Sequence, residues 1–206
     1  MGTKSLAAPP AMLSTGALTT VCLDPSKLYR IGTHNTGEPY FQHSGANRFD
    51  APGAKLAPPA PEYDSCYFGL SLDVAMAETM LHDLSPINGA FKISTSSLEA
   101  FYLLRFKGEP LVLADLTGVA LKRLDGNADL AGHDPRYDRT QRWALAIFQN
   151  PAMVDGFIYM SRHLNSEKAV MLFDRAKPKI SVRKPVKLIK ASGFRAAATR
   201  FNIVAA

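Results

Sequence analysis

"YFGLSLDVAMAETMLHD", residues 67–83, carries a strand, a capped turn and an amphipathic helix in one run. Upstream it extends to "SCYFGL" (65–70), where Cys66, Phe68 and Leu70 alternate with Ser65, Tyr67 and Gly69, as the two faces of a strand do. Ser71 is a good helix N-cap, and Asp73 suits the positive end of the helix dipole. Val74, Ala77, Leu81 and Leu84 recur at helical spacing, which predicts a helix that stops before Pro86. Glu78 falls four residues after Val74 and three before Leu81. That spacing puts its carboxylate at the edge of the apolar stripe, where it can face a cleft instead of open solvent.

The flanking chain repeats the strand pattern more often than the helix pattern. "KLYRIG" (27–32) places Leu28 and Arg30 on one face and Tyr29 and Ile31 on the other. An arginine on a face shared with a core residue needs a partner. Residues 32–62 are rich in Gly, Pro, Asn and His, a length of loop that is more often functional than idle. "AFYLLRF" (100–106) and "PLVLADLT" (110–117) read as strands around the Gly108-Glu109-Pro110 turn. "DRTQRWALAIFQN" (138–150) reads as a helix, with Trp143 and Ile147 one turn apart and Ala144 and Phe148 beside them. "DGFIYMS" (155–161) and "KAVMLF" (168–173) are strands joined by a polar turn. The sum is an α+β domain of mainly antiparallel strands with a few flanking helices.

The 206 residues suit one domain, and 47% hydrophobic with 20% charged residues is ordinary globular composition. No apolar run is long enough to span a bilayer. The N-terminal stretch has one Lys, interrupted by Pro9-Pro10. It is a poor signal peptide and is expected to be a flexible leader over 1–23. A soluble, cytoplasmic protein is the expectation, with delivery to another cell left open. Two cysteines, Cys22 and Cys66, make no disulfide framework, and five scattered histidines (34, 43, 82, 133, 163) give no metal spacing, so no metal is expected. The net charge of +6 is concentrated: Arg175 to Arg200 holds nine basic residues and no acid. Such a segment attracts nucleic acid or acidic protein. Its "KISVRKPVKLIK" also alternates charge with Ile180, Val182, Val186 and Leu188, as a half-buried edge strand does, and Lys and Pro there block sheet-to-sheet association. The edge-strand reading is the simpler one, so direct nucleic-acid binding is not expected.

Generic catalytic motifs are absent: there is no Gly-rich phosphate loop and no Gly-x-Ser-x-Gly. What remains is a set of dispersed residues: Arg30 on a strand, Arg48 in the long loop, Tyr67 on a strand, Glu78 on the next helix and Ser161 at a strand end. Each has an ordinary use, as a structural ion pair, a solvated charge, a core ring, a surface acid or a turn residue. Together they suit an anionic substrate with a planar ring. Guanidinium forks grip pyrophosphate at two points. A tyrosine ring stacks on a planar base. A carboxylate holds ribose hydroxyls and stabilises an oxocarbenium ion as a glycosidic bond breaks.

The order "LYRIG … GANRFDAPG … CYFGLSLDVAMAETM … LADLTGV … TQRWALAIF … VDGFIYMSRHLNSEKAVMLF" resembles the RES domain family, named for a dispersed arginine, glutamate and serine. The resemblance runs from about Asp24 to Ile189. It implies a domain over 24–190 and a C-terminal tail over 191–206 that lies outside it. It also implies a fold like that of ADP-ribosyltransferases, and a toxin of a bacterial toxin–antitoxin pair neutralised by a helix-turn-helix antitoxin. The implied reaction cleaves the nicotinamide–ribose bond of NAD+, by hydrolysis or phosphorolysis, with no cofactor beyond NAD+ itself as substrate. The implied alternative is transfer of ADP-ribose to protein. Carried over by position, Arg30 and Arg48 hold the pyrophosphate or its ribose, Tyr67 packs near nicotinamide, Glu78 supports the transition state and Ser161 completes the polar wall. Many family members have Gly-Arg-Trp-Asn where this chain has Asn47-Arg48-Phe49-Asp50. Two readings from other classes stand beside the enzyme: a nucleic-acid-binding module using the basic segment, and an inactive interaction protein.

Overall fold

The structure, a computed structural model, describes residues 5–132 and 136–206. Residues 1–4 of the expected leader, and His133, lie outside the described residues. In chain order the elements begin with helix α1 (Ala11–Thr15) and strands β1 (Thr20–Leu23), β2 (Tyr29–Gly32) and β3 (Ser65–Gly69). Helix α2 (Leu72–Thr79), strand β4 (Phe91–Ile93) and helix α3 (Thr95–Ala100) follow. Then come β5 (Tyr102–Gly108), β6 (Leu111–Asp115), α4 (Gly118–Arg123) and α5 (Asp138–Phe148). The chain ends with β7 (Gly156–Met160), β8 (Lys168–Phe173), β9 (Ile180–Val182), β10 (Val186–Lys187), α6 (Phe194–Arg200) and β11 (Ile203–Ala205).

Among the described residues one sheet holds nine strands, ordered β1-β6-β7-β8-β3-β2-β5-β10, with β9 also paired to β5. Its pairings are antiparallel except for β6 with β7. β5 and β6 follow one another through Glu109 and Pro110 alone, yet they do not pair and sit near opposite ends of the strand order. A flat sheet cannot satisfy both facts, so this sheet curls. At the corner, Gly108 is required: a Cβ there would lie 1.9 Å from the Lys179 carbonyl oxygen.

Inside the curl, Phe68, Leu104, Phe106, Leu111, Leu113, Ile158, Val170 and Leu172 form one core. The opposite faces of β7 and β8 point Phe157, Tyr159, Met171 and Phe173 at Trp143, Ala144 and Ile147 of α5. This is the strand alternation and the helical stripe expected from sequence, now meeting across two layers. A third cluster joins Ala75 and Met76 of α2 to Ile31, Leu103, Leu188, Phe194 and Ala197. Val74, one residue earlier, belongs to the α5 cluster. α2 is therefore wedged between two cores, which fixes its rotation and the direction of Glu78.

Two expectations are corrected. Residues 5–23 are not a loose leader: Leu6 and Leu13 are buried, β1 pairs with β6, and Asn150 Nδ2 donates to the carbonyls of Leu13 and Gly16, each at 2.9 Å. Pro10 is the N-cap of α1 and not a mark of disorder. α2 ends at Thr79 instead of running on towards Pro86, and Leu84 is exposed. The chain after 190, about whose packing the sequence made no claim, is part of the fold: Phe194 and Ala197 pack against α2, Arg200 makes a two-point ion pair with Asp73, and β11 pairs in parallel with β4.

The basic segment does lie along the sheet edge as expected. Ile180 and Leu188 are buried while Val186 is exposed, and Lys179 is paired with the buried Asp155 at 2.8 Å. Among the described residues no helix is long and apolar enough to cross a membrane.

Phe194→Ala is expected to destabilise the whole domain by about 3 kcal/mol, the cost of emptying a buried aromatic site, because its ring closes the core behind α2. Urea denaturation followed by tryptophan fluorescence measures it. Trp143 lies in a different cluster and reports on global unfolding only.

Candidate active site

The long loop is organised by one buried carboxylate. Asp50, fully buried, accepts hydrogen bonds from Ser44 Oγ (2.9 Å), Asn47 N (3.1 Å), Asn47 Nδ2 (3.0 Å), Ser65 Oγ (2.7 Å) and Tyr67 Oη (3.0 Å). A buried charge is tolerable only with such a set of donors. α5 takes the loop's other side: Gln141 Nε2 donates to the carbonyls of Gly45 and Asn47, and Thr140 Oγ1 to that of Arg48 at 2.6 Å. The loop is thus sewn to β3 and α5, and Arg48 is delivered to a defined place.

That place is a cavity of about 480 Å³ walled by Arg30, Arg48, Tyr67 and Glu78, with Tyr137, Tyr159, Arg162, His163 and the His82–Asp83 pair completing it. Four of the five residues expected from sequence therefore meet. The fifth, Ser161, is 1% exposed and stands behind Glu78. Its Oγ donates to Glu78 Oε1 at 2.5 Å and accepts from Leu164 N at 3.0 Å. The hydroxyl's one proton is committed to the carboxylate, so Ser161 orients Glu78 and is not placed to attack a substrate.

The arginines differ. Arg30 has a partner that its local sequence does not show: Nε pairs with Glu38 at 3.0 Å, and Nη1 donates to the Tyr67 carbonyl at 3.1 Å. Arg30 is thus both a brace across β2, β3 and the loop and a cation on the cavity wall. Arg48 is held by the Gly132 carbonyl through Nη1 and sits 5.1 Å over the Tyr137 ring. Burial pulls its pKa down and Arg162 pulls the same way, against Tyr137, Tyr159 and Glu78. A negative charge in the cavity would favour the charged guanidinium and so offset both effects. Tyr67 presents its ring to the cavity while its hydroxyl donates to Asp50 and accepts from Phe49 N at 3.0 Å. Burial, then the nearby Asp50 charge, pushes that hydroxyl's pKa far up, so Tyr67 is neutral and is no proton donor.

Residues 27–196 match the RES domain family. The chain belongs to that family. It is 33% identical over 96 residues to "Probable toxin y4kH" of Sinorhizobium fredii, a span covering 46% of this chain and 74% of that protein. Its fold matches one chain of a crystal structure of the M. tuberculosis MbcT-MbcA toxin-antitoxin complex, with a TM-score of 0.54 over 81% of this chain and 85% of that one, at 17% identity. The RES match spans all five dispersed residues.

Tyr159, Arg162, His163 and His82 escaped the sequence reading. Tyr159 had a signal: it lies two residues before Ser161 and so shares its strand face. Arg162 and His163 sat in what read only as a polar turn. Burial lowers the pKa of His163, as do Arg162, His82 and Arg48, while Glu78 opposes them.

Two outcomes follow from this geometry. Asp50→Asn places an amide NH2 among five donors, so it is expected to cost about 1–3 kcal/mol, measured by urea denaturation. Since His163 binds its proton less readily when folded than when unfolded, its contribution to stability is complete above pH 6.5 and is lost as pH falls. Melting temperature is expected to drop as pH falls below 6.5, and His163→Gln should flatten that limb.

Proposed function

We propose that this RES domain is the toxin of a toxin–antitoxin pair and that it cleaves the nicotinamide–ribose bond of NAD+. The observation that carries the reading is Glu78: a carboxylate oriented by the Ser161 hydroxyl, on the wall of a cavity it shares with Arg30, Arg48, Arg162 and three tyrosines, while the cavity's other carboxylate, Asp83, lies against His82. The names of its relatives support the toxin role, and the site chemistry supports the substrate class.

Nicotinamide in NAD+ is a pyridinium. When the glycosidic bond breaks, the electron pair stays on the ring nitrogen and nicotinamide leaves neutral, so the leaving group needs no acid. Positive charge is left on the ribose. Glu78 offers the matching negative charge, already aimed by the Ser161 hydrogen bond, so little reorganisation is needed as the charge develops. Arg48 and Arg162 grip the pyrophosphate, and the rings of Tyr67 and Tyr159 flank the bases. Arg30 holds the Tyr67 strand and loop together around the substrate. Water attacking the ribose carbon gives ADP-ribose and a proton. Inorganic phosphate attacking instead gives a phosphorylated ADP-ribose. In the cell the outcome is NAD+ depletion and growth arrest, relieved by a helix-turn-helix antitoxin in the cytoplasm.

The test is nicotinamide release from NAD+ by purified protein, with phosphate added and omitted, and with labelled NAD+ to reveal any transfer to protein. Glu78→Gln keeps the shape and can still accept the Ser161 hydrogen bond, but it removes the charge. Turnover is expected to fall by about two orders of magnitude or more. The dissociation constant for NAD+ should change far less, because the arginines supply the grip. Full turnover with unchanged melting temperature would return Glu78 to an ordinary surface role.

A further inference from the structure

We propose that Ser71 and Glu167 form a positioning clamp that sets Glu78 against Ser161. Its catalytic consequence rests on the NAD+-cleavage reading, and its structural content does not.

Ser71 is more than the cap of α2. Its Oγ accepts from Val74 N at 3.2 Å and donates to Glu167 Oε2 at 2.5 Å. Glu167 closes the turn between β7 and β8: its N–H donates to the Leu164 carbonyl at 3.0 Å, and its carbonyl accepts from Ser161 N at 2.9 Å. At the turn's other end, Ser161 Oγ reaches Glu78. Ser71 and Glu78 are seven residues apart, about 10 Å along a helix rising 1.5 Å per residue. The 161–167 turn is therefore fastened to α2 at both ends of the helix. The base of the turn is already held by the β7–β8 ladder and the Ser161–Glu167 hydrogen bond. The second fastening therefore acts on how α2, and with it Glu78, seats against the turn.

The clamp is remote from the reacting atoms. Ser71 and Glu167 face a different cavity, of about 640 Å³, together with Asp73 and Arg200. Arg200, pinned by Asp73, adds its positive charge on the same side of Glu167. The clamp is thus backed by the C-terminal helix α6, which gives that segment a part in holding the site without touching it. Neither Ser71 nor Glu167 lines the cavity that holds Glu78, so their effect passes through Glu78 and Ser161.

Three variants separate the clamp from the cap. Glu167→Ala removes the clamp and keeps the cap. Ser71→Asp keeps a good N-cap but turns a donor into a second carboxylate facing Glu167. Glu167→Gln keeps an oxygen that accepts from Ser71. Backbone hydrogen exchange at Ser161 and Leu164 is read alongside kcat and KM for nicotinamide release.

Exchange at both amides should quicken in Glu167→Ala and in Ser71→Asp, while Glu167→Gln stays near the parental rate. kcat should fall about tenfold in the first two, a small share of what misplacing a catalytic group by an ångström can cost, with KM within about twofold. Unchanged exchange in both variants overturns the clamp. Faster exchange with parental kcat overturns its role in catalysis. A parental protein that releases no nicotinamide overturns the cleavage reading alone, and exchange in Glu167→Ala then still upholds or overturns the clamp.

Discussion

The loop wall of the cavity, and with it the place of Arg48, depends on the burial of Asp50. A carboxylate removed from water must collect donors or lose its charge, and Asp50 collects five, from the loop on one side and β3 on the other. Those bonds convert a Gly- and Pro-rich stretch, which has no periodic packing of its own, into a wall of fixed shape. Phe49 is carried with it and makes edge contacts with Phe157 and Tyr159 at 5.0 and 4.8 Å between centroids. Tyr63 Oη donates to the Phe49 carbonyl at 2.9 Å. The loop therefore contributes to the α5 core as well as to the site, and disturbing one disturbs the other.

Asn47 and Asp50 are complementary across Arg48. The Asp50 carboxylate only accepts, and Asn47 Nδ2 donates to it at 3.0 Å. Between them, the Arg48 carbonyl accepts from Thr140 Oγ1, which ties this part of the loop to α5.

The strands around the site, the cap at Ser71 and the α5 stripe were legible because they are local: alternation, a hydroxyl before a helix, apolar residues one turn apart. Arg30, Arg48, Tyr67, Glu78 and Ser161 were legible as a group only through the resemblance, since their spacing along the chain says nothing of their meeting in space. Glu38 and Glu167 were not singled out at all, and Asp50 stood out only as the end of the Asn47-Arg48-Phe49-Asp50 stretch. Each is an ordinary acid in sequence, and its importance comes from burial or from a partner far along the chain. The N-terminal stretch was misread for a related reason. Its Leu6 and Leu13 are too sparse to show a period, yet each fills a gap in a core made by other segments.

Among the described residues, the charged groups on the cavity wall differ in how they are partnered. Arg30 is matched by Glu38, and Asp83 lies against the His82 ring at 2.8 Å. Among the described residues, Arg48 is held by neutral groups, two carbonyls and a tyrosine ring, and no carboxylate is hydrogen-bonded to it. Glu78 takes a hydrogen bond from a neutral hydroxyl and not from an arginine. Had Glu78 been paired to Arg48, both would be spent on each other. Instead a guanidinium and a carboxylate stand in one cavity, each oriented by uncharged partners. Such an arrangement is costly for an empty site and favourable for a ligand that is anionic at one end and develops positive charge at the other. On the proposed reading, a dinucleotide losing nicotinamide meets both requirements at once, its pyrophosphate at the arginine and its ribose at Glu78.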